Sequence, residues 1–317
     1  MLAVVSPARA DLVLTAAGVA DGFTLTTFVD GYFGSYGPLA QGIASNGNVI
    51  TGSELNTSGS LGLTVMVFKD VDNQKLTDAV ATNPYTAQSG NPNFAMTTAG
   101  GKVYGAQVQG GVYEQFNNDG TFSPIAGLGA LRDNLGMWGD PVNGHIITTS
   151  NEGLVDINPV AGTFRVINPF VNGDGVSVSP DGKTAYVEVA GTIQSYDIAT
   201  GTLLKVYATG HSPDGTGVIS GGKFNGDVVV NDNDGTVLLL NPTTSAFDII
   251  ADSGTRGDFV SPDTSNGSLF LSQQDSVDRL ACVGCSFSGP PVPEPGTFVL
   301  FGTALMSVIL IRRRKTN

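Results

Sequence analysis

A unit of about 40 residues, rich in β-forming side chains, recurs along this chain and limits the folds it can adopt more than any other feature. The clearest copy is residues 175–208, GVSVSPDGKTAYVEVAGTIQSYDIATGTLLKVYA. Four strand-like runs are separated there by Ser-Pro-Asp-Gly, Ala-Gly and Ala-Thr-Gly, which are hairpin-turn sequences. Blades of four antiparallel strands repeat at about 40–45 residues in β-propellers. The repeat therefore predicts an all-β propeller.

The other copies align by their second strands, and six blades can be counted. Successive second strands begin about 40 residues apart, after a longer first interval, near Val49, Val103, Ile146, Ala185, Val228 and Leu269. We expect the blades at about 40–83, 94–128, 135–169, 175–208, 215–252 and 258–282. The longer first interval predicts a loop insertion that includes residues 73–93. The alternative is a degenerate seventh blade within residues 54–93.

The sixth blade shows only three strands, and its fourth is predicted at the other end of the chain. Residues 22–28, GFTLTTF, resemble the fourth strands at 162–167 and 246–250. An N-terminal strand that completes the last blade would close the ring and leave no exposed blade edge. This closing strand favours a propeller over an open β-solenoid.

The turn sequences carry a family resemblance. The repeats are similar to those of NHL and YVTN-type propellers. The similarity is carried by residues 179–187, SPDGKTAYV, and its first three residues recur at 261–263, SPD. The resemblance implies the fold and no particular activity, because this turn is common in many propellers.

The C-terminal end consists of three successive segments that lack the strand and turn pattern of a blade. They are a stiff Pro-Glu-Pro, an uncharged apolar run and a basic cluster: Pro293, Glu294 and Pro295, residues 297–311, and Arg312, Arg313, Arg314 and Lys315. As a helix the apolar run spans about 22 Å, which is short for a bilayer core, but tilt and snorkelling arginines can absorb the mismatch. The positive-inside rule keeps the basic end cytoplasmic and the body outside. The alternative, a C-terminal core helix, gives the basic cluster no role.

This tail resembles the PEP-CTERM sorting signal of Gram-negative bacteria. The resemblance implies export, a transient anchor in the inner membrane, and cleavage near Pro293–Pro295 by an exosortase. It also implies a place at the cell surface or in a biofilm-type matrix, with extracellular polysaccharide as a candidate partner. We accordingly divide the chain into 11–288, the propeller; 289–296, a proline-rich linker; 297–311, the transmembrane sorting helix; and 312–317, a cytoplasmic tail.

The N-terminal end resembles the remnant of a signal peptide. Ala8-Arg9-Ala10 has the A-x-A form of a signal-peptidase site, but the segment before it is too short for a full signal. We assign residues 1–10 to this remnant. The alternative is that residues 2–14 form a first strand.

Composition excludes several functional classes. A protein with a net charge of −13 repels nucleic-acid backbones, so nucleic-acid binding is not expected. Hydrophobic residues make up 41% of the chain and charged residues only 14%, which excludes a disordered chain. Cys282 and Cys285 are the only cysteines, and in an oxidising compartment they predict a small disulfide. A redox-active pair of the thioredoxin type would need a helix after the motif, and none is evident.

Several inner strands are preceded by an acidic or amide residue. If the blade register is right, these residues ring one mouth of the central channel: Asn93, Asp133, Asn134, Asp174, Asp214 and Asp258. Oxygen ligands from several blades can hold Ca²⁺, so we mark Asp174, Asp214 and Asp258 as a candidate cation site. The alternative is that they only shape turns. No other cofactor is indicated.

Other polar groups give weaker signals. Residues 70–74 and 231–235 depart from the EF-hand pattern and are predicted to be hairpin tips. His211 is a weak candidate for a general base near the proposed mouth, and His145 is predicted to be an ordinary strand residue. Trp138 is predicted to pack between blades, and the alternative is that it stacks on a sugar.

Because His and Glu are few, we expect no catalytic site. The predicted function is a binding or structural module at the cell surface. The alternatives are an extracellular lyase or lactonase with an axial metal and a purely architectural repeat.

Overall fold

The computed structural model describes residues 11–32, 37–55, 61–85, 94–107, 113–129, 131–132 and 135–288. The predictions for the signal-peptide remnant at 1–10, the linker at 289–296, the sorting helix at 297–311 and the basic tail fall outside these ranges. Within them, no helix is long and apolar enough to cross a membrane.

The described chain begins against the last two blades of the ring. A short strand, a five-residue helix and a long strand follow one another: β1 (Val13–Leu14), α1 (Ala16–Ala20) and β2 (Phe23–Asp30). The helix starts where the Thr15 hydroxyl accepts a hydrogen bond from the Gly18 N–H, which satisfies one of the unpaired donors of its first turn.

The first three blades follow along the chain. Blade one comprises β3 (Pro38–Ile43), β4 (Val49–Leu55), β5 (Leu61–Phe68) and β7 (Ala81–Pro84), with β6 (Gln74–Lys75) and a 3₁₀ turn (Leu76–Asp78) inserted before β7. Blade two comprises β8 (Phe94–Ala99), β9 (Lys102–Gln107), β10 (Tyr113–Phe116) and β11 (Phe122–Pro124). Blade three comprises β12 (Met137–Gly139), β13 (Ile146–Ser150), β14 (Gly153–Asn158) and β15 (Thr163–Asn168).

The last three blades complete the ring. Blade four comprises β16 (Val176–Val178), β17 (Thr184–Val189), β18 (Thr192–Asp197) and β19 (Leu203–Tyr207). Blade five comprises β20 (Pro213–Val218), β21 (Val228–Asp232), β22 (Val237–Leu240) and β23 (Phe247–Asp252), a 3₁₀ turn (Gly222–Phe224) after β20, and β1 as a fifth, outer strand. Blade six comprises β24 (Gly257–Pro262), β25 (Leu269–Gln273), β26 (Ser276–Cys282) and β2, with β6 at its outer edge.

The six-bladed propeller predicted from the repeat is confirmed. The four main strands of each blade are antiparallel, and the inner strands contact their neighbours all around the axis: β3, β8, β12, β16, β20 and β24. Middle strands such as β22 are buried along their whole length because a blade packs against each face. Their sequences are therefore continuous apolar runs, whereas the outer strand β19 exposes most of its residues.

The closing strand is also confirmed. β2 pairs antiparallel with β26, from Phe23 opposite Cys282 to Asp30 opposite Ser276, with a bulge between Thr27 and Val29. The N-terminal strand thus supplies the fourth strand of blade six, as the sequence predicts. The first and last parts of the propeller are joined by a full hydrogen-bond ladder.

The insertion of blade one reaches across to this closure. β6 pairs in parallel with Val29 and Asp30 at the outer edge of β2. The loop before β6 brings Asp70 and Asp72 to Arg279 of β26. Residues 70–74, predicted as a hairpin tip, lie in the connection between the antiparallel strands β5 and β7. The connection is a longer insertion, and the carboxylates of Asp70 and Asp72 serve an ion-pair network.

Arg279 is the centre of that network. Its Nε lies 2.9 Å from Asp72 Oδ1 and its Nη1 lies 3.1 Å from the buried Asp263 Oδ2. The guanidinium also lies 5.1 Å and 5.0 Å from the ring centroids of Phe28 in β2 and Phe270 in β25. Cation–π contacts of this kind strengthen when they are desolvated. One side chain thus ties β2, β25, β26 and the insertion together.

Glycines let the inner strands approach one another near the axis. A Cβ added to Gly175 would lie 2.2 Å from the Asp214 carbonyl oxygen, and one added to Gly215 would lie 2.3 Å from the Asp258 carbonyl oxygen. These contacts are with neighbouring backbone, which cannot move aside as a flexible side chain can. The Asp-Gly pairs at these strand starts are therefore a packing requirement of the ring.

Substituting Gly215 by alanine tests this requirement. We expect Gly215→Ala to lower the free energy of unfolding by about 1–3 kcal/mol or more, because the methyl group overpacks the axis. Gly129→Ala is the matched control, since nothing lies within 4 Å of its added Cβ, and it should stay within about 0.5 kcal/mol of the wild type. Equal unfolding midpoints for the two variants in denaturant titrations would contradict the steric account.

Candidate functional site

The structure brings Asp174, Asp214 and Asp258 together where the inner strands of blades four, five and six begin. Asp214 and Asp258 are only 5% and 6% exposed, and the three carboxyl groups interact electrostatically with one another. The close approach of the strands at Gly175 and Gly215 stacks these successive blade starts. We call this cluster, together with Arg256, the acidic mouth. Asn93, Asp133 and Asn134 are not among the described residues.

Arg256 is the member of the acidic mouth that sequence reasoning missed. Its Nη1 lies 2.7 Å from Asp258 Oδ2, and its Nη2 lies 3.6 Å from Asp214 Oδ2. The side chain enters from the residue just before β24. The guanidinium supplies a positive charge from the chain itself, so a bound cation would have to compete with it. The calcium site stays a prediction.

Burial disfavours full ionisation of the three carboxyl groups in the acidic mouth. Burial raises the pKa of Asp174 to about 7 and that of Asp258 to about 6. Burial and the neighbouring carboxylates also raise the pKa of Asp214, while Arg256 acts in the opposite direction. Burial thus favours the protonated forms of these carboxyl groups, whereas the Arg256 guanidinium favours their ionised forms.

Beneath the acidic mouth the described residues border only a small cavity. The remaining cavity has a volume of about 10 Å³ and is bordered by apolar side chains such as Met96, Met137 and Phe259. A space of this size holds at most one water molecule. A ligand of sugar size does not fit this cavity.

The turn at 231–235 borders the acidic mouth. It joins β21 to β22, which makes it a hairpin turn, and a side-chain hydrogen bond links Asn233 to Asp214. Asn231 donates to the Asp258 carbonyl at 3.2 Å, which anchors the turn to blade six. Burial raises the pKa of Asp232 to about 7.

The two histidines lie in different blades. His211 Nδ1 lies 2.9 Å from Asp234 Oδ2, so its carboxylate partner belongs to the hairpin turn and not to the three axial aspartates. His145 precedes β13, and its Nδ1 lies 2.7 Å from Asp156 Oδ1. The other carboxylate oxygen of Asp156 accepts a hydrogen bond from Arg165. His145 is thus half-buried in an ion-pair cluster of blade three.

At the opposite face, where the inner strands end, there is an open cavity of about 520 Å³. We call it the exit mouth, because the described chain leaves the fold there. Its lining mixes hydroxyl, carboxylate, proline and aromatic groups and includes Thr98, Trp138, Asp140, Pro180, Pro262 and Phe287. Trp138 is 2% exposed and so mainly fills the core, as interblade packing requires.

Hydrogen bonds hold the exit segment against the ring. Ser220 and Ser286 form an isolated antiparallel bridge, and the Phe287 N–H donates to the Gly267 carbonyl at 2.9 Å. Cys282 and Cys285 are joined in a disulfide with a Cα–Cα distance of 5.6 Å, in the turn that leads from β26 to this bridge. The disulfide thus closes a small loop directly before the tail.

Comparison with protein families identifies the tail. Residues 291–315 match the PEP-CTERM protein-sorting motif. This motif marks a protein that is exported, anchored transiently in the membrane and processed by an exosortase before surface display. The export and surface location predicted from the tail are confirmed.

Comparison with solved structures identifies the fold. The chain is similar to a gluconolactonase from Xanthomonas campestris, with 14% identity, a TM-score of 0.59, and coverage of 86% of this chain and 94% of that one. Because 1229 solved chains match, and a fold of this kind hosts many functions, the likeness carries no activity over. A comparison with curated protein sequences finds no match.

Removing Arg256 should make stability depend more steeply on pH. A carboxyl with a raised pKa in the folded state stabilises the fold at low pH, and this contribution is lost as the pH rises through about 6 to 7. Arg256→Gln raises these pKa values further. We expect it to cost about 3 kcal/mol at pH 8, the low end for unpairing a buried ion pair, and much less at pH 5.

Denaturant unfolding at both pH values measures this, with Arg132→Gln, at an exposed arginine, as the control. At pH 8, millimolar Ca²⁺ should stabilise Arg256→Gln more than the wild type, because the guanidinium no longer competes. An equal loss at pH 5 and pH 8 would contradict the charge-balance account.

Proposed function

We propose that the propeller is a surface-displayed binding module that holds a segment of uncharged extracellular polysaccharide in the exit mouth. The observation that carries this proposal is the open cavity of about 520 Å³ at the end of the inner strands. Binding pockets for small ligands typically have volumes of about 300–1,000 Å³. The cavity therefore has room for a short stretch of sugar chain.

The lining of the exit mouth fits such a ligand. The exposed hydroxyl of Thr264 can exchange hydrogen bonds with sugar hydroxyls, while the half-buried Pro180 offers a flat apolar surface. The net charge of −13 disfavours an acidic polysaccharide, because like charges repel along the whole approach. These features together favour a neutral glycan.

The place where the chain leaves the fold supports a role that begins after processing. Phe287 and Ser288, just before the sorting motif, border the exit mouth. We expect that cleavage of the sorting tail by the exosortase frees the exit mouth from its tether to the membrane.

The second candidate is an extracellular lyase or lactonase with an axial metal. The convergence of Asp174, Asp214 and Asp258 favours it, because several carboxylates from different blades meet there. Two features favour the binding module instead: Arg256 already balances these carboxylates, and the cavity beneath them is small. The fold is similar to that of a gluconolactonase, so the enzyme hypothesis is included in the test below.

Filling the exit mouth should abolish glycan binding. Thr264 is exposed at the rim of the cavity, and Thr264→Trp would place an indole in it without disturbing the core. Thr243→Trp, at an exposed threonine in the turn between β22 and β23, is the matched control. We expect the full chain in detergent to bind neutral glycans on an array, and Thr264→Trp alone to lose this binding.

Equal binding by both variants would place the ligand elsewhere. Hydrolysis of a lactone, or cleavage of a polysaccharide, that stops on chelation with EDTA and is lost in Asp214→Asn would establish the enzyme instead.

A further inference from the structure

A second group of ligand-type side chains lies beside the acidic mouth, in blade five. His211 comes from the connection that enters β20, and Asp232 and Asp234 come from the turn between β21 and β22. One potential ligand atom from each residue lies within 4.8 Å of those of the other two. Two segments that are far apart in sequence thus place one imidazole and two carboxylates around a single point.

One carboxylate oxygen of this group has no hydrogen-bond partner among the described residues. Asp232 is fully buried, and its Oδ1 accepts no hydrogen bond there. Its other oxygen lies 3.3 Å from the Thr236 hydroxyl. An unpartnered buried carboxylate oxygen is costly, because it has lost water without gaining a donor or a cation. In a native fold such an atom needs an explanation, and a bound ion is one.

The other two side chains are held in place but remain accessible. Nδ1 of His211 lies 2.9 Å from Asp234 Oδ2, and the imidazole packs edge-on against the Phe247 ring at 6.0 Å. Asp234 also accepts from the Thr236 hydroxyl at 2.6 Å. The side chain of His211 is 22% exposed and that of Asp234 is 41% exposed. Two of the three potential ligand side chains are therefore accessible to solvent.

We propose that His211, Asp232 and Asp234 form a site for a divalent first-row transition metal of the Zn²⁺ type. One imidazole nitrogen with two carboxylates is a donor set that suits such ions, whereas Ca²⁺ prefers six to eight oxygen ligands. Three protein ligands leave a coordination position open toward solvent. The ion joins the entry to β20 to the β21–β22 turn, on the face opposite the exit mouth.

This site does not depend on the proposed glycan binding. It also differs from the candidate cation site at Asp174, Asp214 and Asp258, where Arg256 already provides a positive charge. At His211, Asp232 and Asp234 no arginine or lysine is paired with the carboxylates among the described residues. The two clusters are neighbours, because Asn233 of the same hairpin turn bonds Asp214 and Asn231 donates to the Asp258 carbonyl.

Calorimetric titration with Zn²⁺ tests the proposal. The full chain is purified in detergent without a histidine tag, stripped with EDTA, dialysed and titrated at neutral pH. We expect one saturable site per chain. His211→Ala and Asp232→Asn should weaken it by more than the roughly 10- to 100-fold that loss of an outer-shell partner costs. Thermal unfolding in EDTA shows whether each variant is folded.

His145 provides the matched control. It is the only other histidine, it also contacts an aspartate, at 2.7 Å, and its side chain is 29% exposed. His145→Ala should bind Zn²⁺ as the wild type does. If Asp232→Asn does not fold, Asp234→Asn on the exposed side replaces it. The proposal is overturned if the wild type shows no saturable binding, if His145→Ala loses as much affinity as His211→Ala, or if the His211 and aspartate variants all retain full affinity.

Discussion

The pairing of β2 with β26 is the interaction on which the other features of this molecule depend. It joins the first long strand of the chain to the last, so that six blades form a ring instead of an open stack. Arg279 reinforces the joint from the β26 side, between the rings of Phe28 and Phe270 and among carboxylates of the blade-one insertion. Without closure, blade six would have an unpaired edge, and β24 would lose its fixed place beside β20 and β3.

Both mouths follow from this closure. At one end, Asp-Gly pairs allow the inner strands to touch, and the same close approach forces three aspartates into a space with little water. Two effects reduce the resulting repulsion between the carboxylates: their raised pKa values favour the protonated forms, and the guanidinium of Arg256 supplies a positive charge. At the other end the strands diverge around an open cavity. There the Ser220–Ser286 bridge fixes the point from which the sorting tail departs.

The sequence predicted the ring well, because the ring is built from local signals. Turn residues and β-forming runs recur at a fixed spacing, and the second strands begin at or within one residue of the positions read from the repeat. The closing strand could be recognised because residues 22–28 look like a fourth strand and the sixth blade lacked one. The meeting of Asp174, Asp214 and Asp258 could be expected because each occupies the same place in its blade.

What the sequence did not reveal depends on side-chain contacts that only the fold shows. Arg256 stands only two residues before Asp258, and that spacing is the one signal that could have exposed its role. Asp70 and Asp72 looked like a hairpin tip, since nothing local shows that their loop crosses to Arg279 in another blade. His211 was considered with the nearby Asp214, but its partner Asp234 comes from a separate turn, and only the fold brings the two together.

Hydrogen exchange along β2 tests the closed ring most directly. The amides of β2 that bond to β26 should exchange only through global unfolding, at the same slow rates as those of central strands such as β21. Exchange of these β2 amides through a local opening, far faster than in β21, would show that the strand detaches while the other blades stay folded. That result would contradict the account, because the ring would then not depend on its closing strand.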